Sequence, residues 1–523
     1  MVWRLEDPQG NEAAKVKYEV VPYTRGIVLD LGAGATRTYP HWITVDNCVD
    51  TELFGADIKP QLKADCERLS ESIQADSVDA IFSSHLLEHI ADYRAALQDW
   101  WGCIKPGGYL VLYLPHKDFY PNIGEPGANP DHKHDFLPHD IIEAMTTFAP
   151  GFDLVVNEAR NEDKEYSFLQ VYQKNHASDL RFWQSCFLPK PDKTACVVRY
   201  GGYGDMLQAA NILPELKRQG YHVTMMTTPK GQNIVRHDPH IDAWLIQDED
   251  QVPNPELSAY WRVWAPKFDK FINLCESVEG TLLAMPGRAN HAWPDGMRRK
   301  YLGRNYLEFT AEIAELPYWS AARFYPTLTE THIAHDLINA GGGDKAFHLL
   351  WALSGSSMHK FYPYQDKVIA RLLYEWPNLH VILAGDAACK VLEAGWENEP
   401  RVTLTSGELG IRDTLALAQQ VDCVVGPETG LLNAVAFEAV GKVILLSHSS
   451  AENLTKHWLN ASTIEPRDTP CYPCHRLHYG REFCPEHVDS GAAMCQFNIA
   501  PETVVSAIGY HYAAWLGGLE NVA

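Results

Sequence analysis

The sequence predicts an α/β protein of three consecutive strand–helix units, and three observations predict it. Short apolar runs alternate with amphipathic stretches along the chain, the pattern of mainly parallel, doubly wound sheets. Several runs end directly in glycine loops, among them Val28-Leu29-Asp30-Leu31-Gly32-Ala33-Gly34-Ala35 and Gly426-Pro427-Glu428-Thr429-Gly430-Leu431-Leu432-Asn433. The length, 523 residues, fits three units at roughly 100–200 residues each.

Composition narrows the function classes. Hydrophobic residues make up 46%, with 15 Trp and 24 Tyr, so large cores form easily and disorder does not dominate. The net charge is −23 and the densest basic run is only Arg298-Arg299-Lys300, so nucleic acid is disfavoured as a direct partner. The opening Met-Val-Trp-Arg-Leu-Glu-Asp lacks a signal-peptide core, and no run approaches the ~18–20 apolar residues of a membrane span. The expected location is the cytoplasm, with the 12 Cys mostly reduced. Nothing in the sequence signals an oligomeric state.

Residues 1–175 form the first unit. Ile27–Leu31, Trp42–Val45 and Val78–Ser83 read as strands and Leu86–Trp101 as a helix. The turn Lys105-Pro106-Gly107-Gly108 leads into strand Tyr109–Leu114, and Phe152–Val156 with Phe168–Gln173 predict a closing hairpin. Residues 176–194 break the periodicity and contain Pro189-Lys190-Pro191, the best linker signal. The second unit, 195–335, opens with strand Ala195–Arg199, a glycine loop and a helix Asp205–Gln219 that Pro214 should bend. The third, 336–523, contains strands Val381–Ala384, Cys423–Val425 and Val443–Leu446, helices Asp413–Gln420 and Leu431–Ala439, and a closing helix near Pro501–Leu516. The second and third units read as a matched pair of Rossmann-like halves.

The first unit carries the ordered features of a nucleoside-cofactor cradle. Gly32 and Gly34 let backbone approach a ligand closely. Asp46 ends the second strand, where a carboxylate accepts both ribose hydroxyls; Asp65 follows in Ala-Asp-Cys-Glu. Taken singly, each carboxylate is as well explained as a loop cap. As a set, Val28–Gly34, Val45-Asp46, Ala64-Asp65, Ser84-His85-Leu86-Leu87-Glu88-His89 and Ile104-Lys105-Pro106-Gly107-Gly108 resemble the class I S-adenosylmethionine-dependent methyltransferases over roughly residues 20–175. The resemblance implies Asp30, Gly32 and Gly34 at the amino acid end of the cofactor, Asp46 on its ribose and Asp65 near its adenine. His85 is the candidate acid–base residue, although such enzymes often work by alignment alone. Asp131-His132-Lys133-His134-Asp135 invites a metal reading. It is set aside because His134–Asp140 resembles the helix-start segment that the family carries after its fifth strand.

The remainder reads as a sugar-nucleotide cleft. In Arg199-Tyr200-Gly201-Gly202-Tyr203-Gly204-Asp205-Met206, Asp205 stands at a helix start, as an N-cap or as a general base on an acceptor hydroxyl. Ser354-Gly355-Ser356-Ser357-Met358-His359-Lys360 offers backbone N–H groups and a point charge to a diphosphate, or is an exposed polar turn. Together with Leu383-Ala384-Gly385-Asp386 and Glu428-Thr429-Gly430-Leu431, these segments resemble family 9 glycosyltransferases of the lipopolysaccharide heptosyltransferase type over about residues 194–510. That resemblance implies a GT-B pair of Rossmann-like domains, with acceptor bound mainly to 195–335 and donor mainly to 336–523. It implies Asp205 as catalytic base, Gly355 and Lys360 on the diphosphate, and Glu428, Thr429, Gly430 and Asn433 around the nucleotide sugar. The family usually has Asp where Glu428 stands and often His where Asn433 stands, so the donor need not be ADP-heptose. Glu276, Glu279, His291 and Arg298 depart most and are expected to shape the acceptor site.

Cys471-x2-Cys474-x9-Cys484-x10-Cys495 is a compact four-cysteine knuckle over 471–495. In a reducing compartment this density favours a tetrahedral ion over disulfides, and tetrathiolate suits zinc and iron equally. His475 and His478 compete as ligands. Four protein ligands leave no open position, so the metal is structural. Heptosyltransferases that modify autotransporters carry a similar knuckle that binds iron, with longer last intervals than here, so the resemblance implies zinc or iron.

The expectation is thus a bifunctional transferase. It joins S-adenosylmethionine-dependent methyl transfer to glycosyl transfer from a nucleotide-diphosphate sugar onto a glycan or protein acceptor. The alternatives are a non-catalytic, ligand-binding C-terminal half, or modification of a nucleic acid or a virion component.

Overall fold

The computed structural model describes residues 12–34, 37–47, 60–162, 164–275, 282–477 and 484–520. The chain divides into two compact units, Met1–Asp192 with Ile246–Lys267, and Lys193–Leu245 with Phe268–Ala523. Glu276, Glu279 and His478 lie outside the described residues. Among the described residues no helix is long and apolar enough to cross a membrane.

The first unit is built on an eight-stranded sheet. Its strands are β1 (Val28–Leu31), β2 (Ile43–Asp46), β3 (Leu62–Lys63), β4 (Val78–Ser84), β5 (Ile104–Pro115), β6 (Phe152–Arg160), β7 (Ser167–Lys174) and β8 (Phe182–Trp183). They lie in the order β3-β2-β1-β4-β5-β7-β6-β8. β1 to β5 run parallel, and β7 is antiparallel to both β5 and β6, which is the closing hairpin expected from sequence. The expected turn at Lys105–Gly108 lies within β5, where the pairing with β4 shifts from Val78↔Ile104 to Ala80↔Tyr109. The helix expected over Leu86–Trp101 starts later. Asp92 accepts from Ala95 N at 3.1 Å and caps helix α1 (Tyr93–Cys103), leaving a short 3-10 turn at Leu87–His89. α1 buries Leu97, Trp100 and Trp101, and helix α2 (Pro138–Phe148) buries Ile141 and Met145 in the same core.

Ile246–Lys267, which the sequence assigns to 195–335, groups with the first unit. Its helix Leu257–Trp264 buries Tyr260, Trp261 and Trp264. Gln251 Nε2 donates to the carbonyls of Val21 and Thr24 at 2.8 Å each, and Trp264 Nε1 to that of Tyr18 at 3.1 Å. Aromatic burial and main-chain bonds to residues 18–24 hold this excursion, a long-range pairing that local periodicity does not encode.

The second unit holds two parallel sheets. The four-stranded sheet has the order β11-β10-β9-β12, from β9 (Thr194–Val198), β10 (His222–Thr227), β11 (Ala243–Ile246) and β12 (Lys270–Asn273). The six-stranded sheet has the order β15-β14-β13-β16-β17-β18, from β13 (Phe347–Ala352), β14 (Leu379–Ala384), β15 (Val402–Leu404), β16 (Cys423–Pro427), β17 (Gly441–Leu445) and β18 (Ala461–Ile464). All pairs of the larger sheet are parallel. The helix expected over Asp205–Gln219 is divided into α3 (Tyr203–Ala209), a 3-10 turn at Ala210–Ile212 and α4 (Leu213–Arg218). Pro214 is the cause: it sits in the first turn of α4, where a missing N–H costs nothing. One core joins Val197, Leu350, Val424 and Ile444 from both sheets with Leu207 of α3. A second core packs the far face of the larger sheet against helices α6 (Gln365–Glu375) and α9 (Pro501–Glu520). Helix α5 (Leu328–Ala340) precedes β13, and α7 (Ile411–Ala418) and α8 (Gly430–Ala434) lie between α6 and α9 in the chain.

Candidate functional site

In the first unit the carboxyl ends of the adjacent strands β1 and β2 bring Asp30, Gly32, Gly34 and Asp46 to one edge of the sheet, and Asp65 follows β3. Gly32 and Gly34 adopt φ of +66° and +56°, a left-handed conformation that side chains strain to reach. A Cβ on Gly32 would stand 2.8 Å from Leu86 Cδ1, whereas one on Gly34 would meet nothing within 4 Å. Gly34 N donates to Asp46 Oδ2 at 3.2 Å, so the glycine loop and the end of β2 close on one another. Asp30 is buried, and burial pushes its carboxyl up to about 7 against the opposing bond from the Thr38 backbone. Asp65 caps the 3-10 turn Cys66–Glu71, accepting from Glu67 N at 2.9 Å. The hydroxyls of Ser83 and Ser84, at the end of β4, are buried without a hydrogen-bond partner. A bare glycine loop, a strand-end carboxylate and two unsatisfied hydroxyls fit a polar nucleoside cofactor.

His85 follows β4 at φ +49°, and its Nε2 lies 2.9 Å from Ser167 Oγ. Burial, with neighbouring cations adding to it, drives the imidazole down to about 3, so the ring is neutral at physiological pH. Pro138 starts α2, and Leu137 N donates to Asp140 Oδ2 at 2.8 Å, which makes the segment after β5 the helix start expected from sequence.

In the second unit the loops after β9, β13, β14, β16 and β17 surround one cavity of about 670 Å3, at the strand ends where parallel sheets bind ligands. Asp205, Gly355, Lys360, Glu428, Thr429, Gly430 and Asn433 all line it. Asp205 Oδ2 accepts from Gly202 N at 2.8 Å, and Oδ1 takes the Arg199 guanidinium at 2.6 Å. It is therefore both cap and cavity-facing carboxylate, held from two sides. Lys360 is buried and its Nζ donates to the Glu428 carbonyl at 2.7 Å. Burial lowers its pKa, and Glu428 and Asp205 oppose that. Gly355 is required beside it, because a Cβ there would stand 2.6 Å from Lys360 Cδ. The Thr429 hydroxyl is buried without a partner on the cavity wall.

Glu428 and Asn433 use their side chains within the protein. Glu428 accepts from the backbone N–H groups of Ser447 (2.8 Å), His448 (3.0 Å) and Ser449 (3.1 Å), and lies 3.0 Å from His448 Nδ1. Burial acts to raise its carboxyl, but His448, Lys360 and the backbone donors hold it well below the usual range. Asn433 accepts from Gln208 Nε2 at 2.9 Å and donates to the Thr429 carbonyl at 2.8 Å, tying α8 to α3. The groups that Glu428 positions, His448 and Ser449, line the cavity and went unread in the sequence. Their signal was the polar run Ser447–Ser450 directly after an apolar strand. His291 and Arg298, expected at the acceptor site, do not line the cavity. Arg298 is buried and donates to the Cys474 carbonyl at 2.8 Å, so it braces the cysteine segment instead.

Cys471, Cys474, Cys484 and Cys495 are free thiols. Burial raises each, and the other sulfurs of the group raise Cys474 and Cys495 further, so the thiols share one neighbourhood that a cation would relieve. His475 N donates to the His448 carbonyl at 2.9 Å, which links this segment to the cavity wall. Among the described residues, one group of three such side chains has its ligand atoms within 4.8 Å of one another, and it is in the first unit: Glu88, His89 and His132.

Residues 29–112 match the family model for a methyltransferase domain. No curated protein matches the chain. Solved structures of similar fold include a glycosyl transferase family 9 protein from Veillonella parvula, at 14% identity and TM-score 0.46, covering 62% of this chain and 98% of that one. The E. coli ADP-heptose lipopolysaccharide heptosyltransferase II is similar at 14% identity and TM-score 0.43, covering 61% and 98%. An S-adenosylmethionine dependent methyltransferase from Mesorhizobium loti is similar at 17% identity and TM-score 0.26, covering 31% and 99%.

Proposed function

We propose that the chain is a two-site transferase, with S-adenosylmethionine-dependent methyl transfer in the first unit and glycosyl transfer from a nucleotide-diphosphate sugar in the second. The observation that carries the second activity is the convergence of Asp205, Lys360 and Thr429 on one cavity at the carboxyl ends of the strands. Asp205 takes the proton of an acceptor hydroxyl as its oxygen bonds the anomeric carbon. The bond from that carbon to the diphosphate breaks, and the electron pair leaves with the diphosphate, which Lys360 and Thr429 stabilise. The displacement is single and inverts the anomeric centre. The acceptor is a glycan or a protein, and the methyl group is placed on the same product. The cysteine segment holds a structural zinc or iron that fixes the His448 loop. Asp30, Gly32, Gly34, Asp46 and Asp65 hold S-adenosylmethionine, which supplies the activated methyl group.

The test offers the purified chain each nucleotide-diphosphate sugar, with and without S-adenosylmethionine. Release of nucleoside diphosphate from one donor is the expected result. Binding of S-adenosylmethionine and of a donor, with no donor hydrolysed, would overturn the glycosyltransferase reading and leave a ligand-binding second unit. Retention on a DNA column at physiological salt would favour nucleic acid as the acceptor. For the first unit, Gly32→Val should weaken S-adenosylmethionine binding by about tenfold or more, because a β-branched residue in the left-handed region costs about 1–2 kcal/mol and this one also meets Leu86. Calorimetric titration checks it, and unchanged affinity would remove the loop from the site.

A further inference from the structure

The least satisfied polar group near the first site is Glu88. Its side chain is fully buried, and neither carboxylate oxygen has a hydrogen-bond partner. Burying a carboxylate without donors is expensive, so native proteins rarely leave one so unless it faces a proton or a cation. What surrounds it is imidazole. Oε1 lies 3.6 Å from His85 Nδ1, 3.9 Å from His132 Nε2 and 4.0 Å from His89 Nε2. One ligand atom each from Glu88, His89 and His132 fall within 4.8 Å of one another. These separations are too long for hydrogen bonds and fit ligands arranged around an ion that each would reach at about 2.0–2.2 Å.

We propose that Glu88, His89 and His132 bind a divalent transition-metal ion beside the methyl-transfer site. Two imidazoles and one carboxylate suit zinc, iron(II), cobalt or manganese better than calcium or magnesium. The ligands come from two segments that the backbone clips together: Lys133 N and His134 N both donate to the Glu88 carbonyl, at 2.7 and 3.3 Å. The His89 and His132 rings meet edge to face at 4.8 Å between centroids, and Tyr120 covers His132 from the other side at 5.4 Å. His134 is excluded, because its Nε2 lies 3.1 Å from the Ala91 carbonyl. Only His132 of the run Asp131–Asp135 thus converges on Glu88, a selection that spacing alone does not make. Leu86, three residues along from Ser83, packs against the Gly32 loop, so the ion would sit just beyond the cofactor cradle. Three protein ligands leave coordination open, and an oxygen of the methyl acceptor is the class of group that would fill it.

The experiment uses the full chain stripped with chelator and titrated with Co2+. Ions held by the cysteine segment carry thiolate-to-cobalt charge-transfer bands, and ions held by imidazole and carboxylate do not. The expected result is visible d–d absorption from one equivalent without thiolate character, lost in Glu88→Gln and His132→Ala, with any thiolate bands unchanged as a control for folding. Glu88→Gln is nearly isosteric and removes an unsatisfied buried carboxylate, so its metal-free form should melt no lower than wild type. A Co2+ spectrum and stoichiometry identical in wild type and Glu88→Gln would overturn the site. So would a wild-type spectrum made only of thiolate-bound cobalt.

Discussion

Asp205→Asn should lower the kcat of glycosyl transfer by about 10²–10⁴-fold, the range for loss of a positioned general base, while donor affinity stays close to wild type. The carboxylate is held from two sides, by Arg199 at 2.6 Å and by the backbone N–H of Gly202 at 2.8 Å. Asn keeps an oxygen for one of these donors but cannot take a proton. Asp205→Ala also removes the carboxylate partner of a nearly buried guanidinium, which keeps the Leu274 carbonyl, so it should lose thermal stability in addition to activity. The two variants separate the roles. Steady-state kinetics against calorimetric donor binding reads the first, and thermal unfolding reads the second. If Asn retains wild-type kcat, Asp205 is only the cap of α3, worth about 0.5–2 kcal/mol of stability, and the base lies elsewhere on the cavity wall.

Much of this arrangement was legible in the chain. The glycine loops at residues 32–34 and 426–430 could be placed because a buried strand running into glycine is a local signal, as was the break at Pro214. What stayed illegible was the choice among polar residues. Glu428 and Asn433, read as donor contacts from their strand-end loop, do line the cavity, and their side chains also hold residues 447–449 and Gln208. Burial and partner, rather than sequence position, decide whether a carboxylate faces a ligand or satisfies backbone donors. Arg298 is the same lesson in a cation, since a buried guanidinium must find acceptors and finds the Cys474 carbonyl. The excursion 246–267 failed for a different reason, because its anchors at residues 18–24 are distant in sequence. Glu88 was visible only as part of Leu-Glu-His. Its lack of donors appears when the run after β5 folds back over it.

Arg412→Ala should destabilise the second unit by about 3–5 kcal/mol, the cost of breaking a buried ion pair, with only the longer Arg236 contact at 3.6 Å left to Glu330. Arg412 starts α7 and is buried together with Glu330 of α5; it donates to Glu330 Oε1 at 2.6 Å and Oε2 at 2.9 Å. The same guanidinium reaches the carbonyls of Asn233 and Ile234 at 2.9 Å and of Tyr325 at 2.7 Å. One side chain therefore fastens the helix that carries cavity residue Ile411 to the segment just beyond cavity residue Lys230. Burial favours the neutral carboxyl, but the Arg412 pair and the Thr327 N–H bond hold Glu330 down at about 2. The folded value is the lower one, so the contribution is complete above the ordinary carboxyl range near 4.5 and is lost as pH falls towards 2. The gap in unfolding free energy between wild type and Arg412→Ala should accordingly be largest near neutrality and shrink steadily in acid. Denaturant titrations at neutral pH and near pH 3 measure it. A gap independent of pH would mean that the lost carbonyl contacts, rather than the Glu330 charge, set the cost. If the pair also fixes the spacing of the two sheets around the cavity, the variant should raise the donor KM at temperatures where it remains folded, and an unchanged KM would confine Arg412 to stability.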